Sequence, residues 1–171
     1  MSDITGPIPK KIAPRRACQQ GSNMASTHTS LHYHLVFATK NREPLIGREW
    51  SEKLYDYLGG SVRGLGGVSD RIGGMPDHVH LLVGLKATHC LSDFMRELKK
   101  ASSKWIRENG HGRDFQWQEG YGAFSVSYSA KEAVEDYITR QEEHHRTKSF
   151  RDEFMSLLKK SGVVFDERYL E

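Results

Sequence analysis

Apolar and polar positions along the chain fall into two alternating rhythms. The run Leu31-His32-Tyr33-His34-Leu35-Val36-Phe37-Ala38-Thr39 is rich in aromatic and β-branched residues and reads as a strand. Trp50, Leu54, Tyr57, Leu58 and Val62 recur at helical spacing, predicting a helix over 47–63 that Gly64, Gly66 and Gly67 end. Val68 to Ile72 suggests a second strand. Gly73, Gly74 and Pro76 then predict a turn into the run Pro76-Asp77-His78-Val79-His80-Leu81-Leu82-Val83, and so tight a connection predicts an antiparallel pair. Leu91, Phe94, Leu98 and Trp105 give an apolar face to a helix over 92–107, with Ser92 as its cap, and Asn109-Gly110-His111-Gly112 ends it. Phe115–Gln118 and Tyr121–Ser127 supply strand material around Gly120. Val134, Tyr137, Gln141 and His144 predict a helix over 130–147, and Phe150 to Lys160 a last amphipathic one.

Strand, helix, strand, strand, helix, strand is the order of a split βαβ plan. The expected fold class is α+β: a ferredoxin-like antiparallel sheet with helices on one face and an added C-terminal helix carrying Tyr137. The 171 residues fit one domain over 29–171. Residues 1–28, with Pro7, Pro9, Pro14 and no hydrophobic period, read as a disordered basic extension; Met24 is a candidate functional start.

Composition narrows the picture less than the arrangement does. No apolar run approaches a membrane span and no leader is evident, and Cys18 and Cys90 are too few for a disulfide framework, so the expected setting is cytoplasmic. The net charge of +3 is misleading. Lys10, Lys11, Arg15 and Arg16 against Asp3 account for all of it, so residues 24–171 are balanced. Any surface for nucleic acid must come from how charge is arranged. Arg96, Lys100, Lys104 and Arg107 fall on one stripe of the second helix, and Lys40 and Arg42 form a basic turn; these six are the candidate DNA-backbone contacts.

On a strand, His78 and His80 point to one side while Val79, Leu81 and Val83 point to the other. Two buried imidazoles side by side are costly unless something binds them, and a divalent cation is the natural candidate. Tyr137 and Gln141, four apart on a helix, share a face. If that face meets the histidine strand, two imidazoles, an amide oxygen and a phenol converge. Neutral ligands leave the full charge on Mg²⁺ or Mn²⁺ to polarise a phosphodiester, and an ionised phenol is a good attacking group. The second pair, His32 and His34, reads as packing or hydrogen bonding.

These residues resemble the single-tyrosine transposases of the HUH superfamily, including relatives associated with repetitive extragenic palindromes. The resemblance spans nearly all of 29–160. It rests on Tyr33-His34-Leu35-Val36-Phe37 with Thr39-Lys40 and Arg42, on Met75-Pro76-Asp77-His78-Val79-His80-Leu81-Leu82, and on Tyr137-Ile138, Gln141 and His144-His145. It implies metal ligands at His78, His80 and Gln141, a nucleophile at Tyr137, and a 5′-phosphotyrosine link to single-stranded DNA with release of a 3′-hydroxyl. It also implies hairpin-forming palindromes as partners and a homodimer, often with one subunit's tyrosine helix facing the other's histidines. Two other readings stand beside it. One is a non-catalytic nucleic-acid binder stacking bases on Tyr33, Phe37 and Tyr121; the other is a domesticated relative acting on chromosomal repeats.

Overall fold

The computed structural model describes residues 28–147 and 149–169, so the N-terminal extension lies outside the described residues apart from its last position. Four strands form one sheet: β1 (His32–Ala38), β2 (Val68–Met75), β3 (His78–Gly84) and β4 (Gly122–Val126). Their order is β2-β3-β1-β4 and every neighbouring pair is antiparallel, the split βαβ arrangement expected.

Strand alternation sorts the side chains into two layers. On one face Leu35, Phe37, Val79, Leu81 and Val83 pack against α1 (Ser51–Gly64) and α2 (Leu91–Glu108), which contribute Leu54, Leu58, Val62, Phe94, Met95, Leu98 and Ile106. This is the main core. The opposite face carries His34, Val36, His78, His80, Leu82, Phe124 and Val126. It is covered by the added C-terminal helices α3 (Lys131–Thr139), α4 (Gln141–His144) and α5 (Phe150–Lys160). Val36 and Phe124 meet Phe150, Phe154, Leu157 and Leu158, while Leu82 and Val126 meet Val134, Tyr137 and Ile138.

Four local expectations change. Gly73 and Gly74 lie inside β2, opposite His80 and Val79, and the turn is the two-residue link Pro76-Asp77. The glycines serve close approach: a Cβ on Gly73 would sit 2.8 Å from the Ile138 carbonyl oxygen, so its absence lets α3 lie directly on the sheet. Ser92 is not the cap of α2. Cys90 occupies that place without a side-chain cap bond, and Ser92 lies within the first turn, in contact with the Cys90 thiol. Phe115–Gln118 forms only a single bridge, Thr39 to Trp117, because Phe115 and Trp117 are drawn into the core. The helix expected over 130–147 breaks at Arg140 (φ −99°, ψ 24°), giving α3 and the short α4; the Thr139 hydroxyl bonds back to the Glu135 carbonyl just before the break.

Two contacts hold α3 on the sheet and a third ties α4 to the loop before α1. Lys131 pairs with Asp70 of β2 at 2.8 Å, Gly73 admits Ile138, and Arg48 pairs with Glu142 of α4 at 2.9 Å. The last pair is exposed to solvent and contributes little. Gly73→Ala is expected to force α3 outward and lower stability by about 1–3 kcal/mol. Chemical denaturation checks this; an unchanged midpoint would show that α3 yields freely.

Candidate active site

His78 and His80 are fully buried on β3, and each is held through Nδ1. Asp77 Oδ1 lies 2.7 Å from His78 Nδ1, and His34 Nε2 lies 2.9 Å from His80 Nδ1. With the proton on Nδ1, each ring donates to its partner and turns a bare Nε2 inward. Neither Nε2 has a hydrogen-bond partner among the described residues. A hydrogen-bond acceptor behind the ring, often a carboxylate, is the usual support for a metal-binding imidazole; Asp77 fills that place for His78 and the ring of His34 for His80.

The supports are themselves anchored. The Thr39 amide donates to the Asp77 carbonyl at 2.8 Å, and Arg42 reaches Asp77 Oδ2 at 3.4 Å. Arg42 also lies over the Phe150 ring, 4.5 Å from its centre. To aim it there the chain passes through left-handed backbone at Asn41 (φ 55°) and Arg42 (φ 56°), a conformation that costs energy in residues with side chains.

Above the histidines, Tyr137 and Gln141 arrive from α3 and α4. Gln141 is 2% exposed, and its Oε1 takes no hydrogen bond from any described residue. The Tyr137 ring centre lies 5.9 Å from those of both His34 and His80. The Tyr137 hydroxyl and, at 3.1 Å, Gln141 Nε2 both donate to Oε1 of Glu153, a buried residue of α5. Glu153 Oε2 lies 3.9 Å from His78 Nε2, 3.8 Å from His80 Nε2 and 2.9 Å from His145 Nε2. A cavity of about 220 Å³ opens onto Tyr137, His144, His145 and Glu153.

Burial sets the electrostatics. It lowers the His34 pKa to about 4 and, with the charges of His78, His34 and His145, lowers that of His80 well below the ordinary value. Both rings are therefore neutral near pH 7, the form that donates a lone pair to a metal. Burial, with the Asp77 charge, raises Glu153 to about 7. Burial also works against the Asp77 carboxylate, but the hydrogen bond and charge of His78, then Arg42, outweigh it and hold Asp77 below the ordinary value. Two bare imidazole nitrogens and a bare amide oxygen suit a hard or borderline divalent cation, so the donor set fits the ion expected from the sequence.

Comparison with known proteins identifies the family. Residues 27–141 match the model of the family described as transposase, IS200 like. The chain belongs to that family. Among IS200-like transposases it is similar to the ISDra2 transposase TnpA of Deinococcus radiodurans, 29% identical over 120 residues covering 65% of this chain and 84% of that protein. A solved candidate transposase from Deinococcus radiodurans superposes with a TM-score of 0.56 and 28% identity, covering 71% of this chain and 98% of its own. A REP-associated tyrosine transposase solved with a REP hairpin gives 0.51 at 15% identity, covering 73% and 74%, and shares the fold.

The six basic candidates do not gather at this site. Lys40 bonds Gln116 Oε1 at 3.0 Å, and Arg42 is engaged with Asp77. Arg96, Lys100, Lys104 and Arg107 ride on α2, across the sheet from the histidines. There Arg96 pairs with Asp93 and Glu97, Lys104 with Glu108, and Arg107 bonds the Phe115 carbonyl. Lys99, beside the stripe, is bonded to the carbonyls of Gln118, Glu119 and Gly120 and holds that loop. Of the proposed stacking platforms, Phe37 is 2% exposed and cannot receive a base. His32 lies 4.0 Å from Asp70, and the exposed His144 lies against Tyr137, ring centres 4.9 Å apart.

Sequence reasoning did not select Glu153, Asp77, His34 or His145 for the site. Glu153 carried a signal: it falls on the apolar stripe of Phe150, Phe154 and Leu157, where an acid needs a partner. His34 gives a pH test. Its pKa is 6.5 unfolded and about 4 folded, so the unfolded chain takes up the extra proton between those values. The stability it contributes is complete above pH 6.5 and lost as pH falls through 4, about 3 kcal/mol in all. Glu153, raised from 4.5 to about 7, works in the opposite sense between those values, so the comparison must be between variants. His34→Asn should flatten the acid limb of the unfolding midpoint against pH; parallel profiles would rule out a buried neutral His34.

Proposed function

We propose that this transposase cuts and rejoins single-stranded DNA at hairpin-marked sites through a covalent 5′-phosphotyrosine formed by Tyr137. The carrying observation is the convergence of three bare buried donors, His78 Nε2, His80 Nε2 and Gln141 Oε1, beside the Tyr137 phenol. His78, His80 and Gln141 would hold Mg²⁺ or Mn²⁺, which when bound supplies positive charge to the scissile phosphate.

The remaining chemistry belongs to side chains of this chain. Tyr137 oxygen forms a bond to phosphorus while the bond from phosphorus to the 3′-oxygen breaks, and that oxygen leaves as a 3′-hydroxyl after taking up a proton. The phenol's hydrogen bond to Glu153 offers its proton an acceptor. A later 3′-hydroxyl attacks the phosphotyrosine and restores the phenol, so strands are rejoined without a nucleoside triphosphate. Asp77 and His34 act as positioning residues, holding the imidazoles by Nδ1.

The REP hairpin in a structural neighbour supports a hairpin substrate. We take the DNA backbone to run past Lys40 and Arg42 at the end of β1, with the α2 stripe gripping more distant phosphates. We also infer a homodimer, in which each subunit has a histidine pair and a tyrosine of its own.

Incubation with a hairpin-bearing single strand and Mn²⁺ tests the reading. A denaturant-resistant adduct is expected with the wild type, lost on chelation of the metal and in Tyr137→Phe, and reduced about 100-fold or more in His80→Ala. An adduct that persists in Tyr137→Phe would rule out the nucleophile.

A further inference from the structure

We propose that Glu153 is a fourth, anionic ligand of the divalent cation, supplied by α5 from beyond the 27–141 span that matches the family. The inference rests on the metal site proposed above and concerns its composition.

Glu153 projects from the face of α5 that otherwise buries Phe150, Phe154 and Leu158, and is itself 6% exposed. A carboxylate in that position is costly unless a positive charge meets it. Its two oxygens are turned to different tasks. Oε1 receives Tyr137 and Gln141, whereas Oε2 faces the Nε2 atoms of His78 and His80, with His145 Nε2 beside it at 2.9 Å. Ligand atoms sharing one ion at bond lengths near 2.1 Å stand roughly 3–4 Å apart. The Oε2 separations of 3.8 and 3.9 Å meet that requirement, and one ligand atom from each of His78, His80 and Glu153 lies within 4.8 Å of the others.

Two consequences follow from the charge and the connection. Two imidazoles and an amide form a neutral set, which leaves the ion its full charge; adding Glu153 makes the set singly negative and binds the ion more tightly. The same carboxylate also holds the Tyr137 hydroxyl through Oε1, so cation binding and placement of the nucleophile are joined through one side chain of α5.

Calorimetric titration of the full chain with Mn²⁺, without DNA, tests this. In Glu153→Gln the shape is kept and the charge removed. Its Mn²⁺ affinity is expected to fall at least about 10-fold, while the metal-free melting temperature stays equal or rises, because the cost of burying a carboxylate is gone. Wild-type affinity in Glu153→Gln, with His80→Ala strongly weakened, would overturn the role of Glu153 and leave the histidine site standing. Wild-type affinity in both His78→Ala and His80→Ala would instead overturn the metal site itself. Should Glu153→Gln fail to fold, Glu153→Asp carries the test. Its shortened carboxylate is expected to give intermediate affinity, and affinity equal to wild type would count against ligation.

Discussion

Each of two buried imidazoles is held through Nδ1, and the layer above the sheet has to accommodate the Nε2 atoms that this leaves facing the interior. Asp77 holds one ring and His34 the other, at 2.7 and 2.9 Å. A histidine free to rotate could turn its bare nitrogen to water; these two cannot. The cost of the bare nitrogens is therefore built into the fold and is relieved only by what faces them. That is why the residues opposite are an amide, a phenol, a carboxylate and a third imidazole rather than more leucine.

The polar pocket persists because the rest of the sheet is conventionally packed. Leu35, Phe37, Val79, Leu81 and Val83 give β1 and β3 a dry face against α1 and α2, and that face secures strand register. Register in turn determines which side chains stand beside the histidines. On the second face Leu82 and Val126 on one flank, and Val36 and Phe124 on the other, anchor α3 and α5 separately. The site lies between these two small apolar clusters. Cover on the second face is thinner than on the first, and that layer is the one whose displacement would open the pocket.

The basic residues illustrate how composition can mislead. The described part of the chain is nearly balanced in charge, and many cations already have local duties: Lys99 holds a loop, Arg42 braces Asp77, and Lys131 fastens α3. A stripe read from helical spacing remains a stripe in three dimensions. Its position on α2, across the sheet from the histidines, follows from the apolar residues on the other side of that helix.

Local rhythm determined much of this protein. Strand alternation put His78 and His80 on one side, helical spacing brought Tyr137 and Gln141 to one face, and the order of elements implied the split βαβ sheet. These follow from backbone geometry that repeats every two or 3.6 residues, so nearby residues suffice to read them. Only the tertiary structure decided that Gly73 marks close approach rather than a turn, and that the tyrosine helix breaks at Arg140. It alone decided that Asp77, His34, His145 and Glu153 join the histidines. Each of those outcomes depends on which element lies against which. Glu153 is 73 residues from His80 along the chain, and no periodicity spans that distance; docking of α5 through its apolar residues carries the carboxylate there.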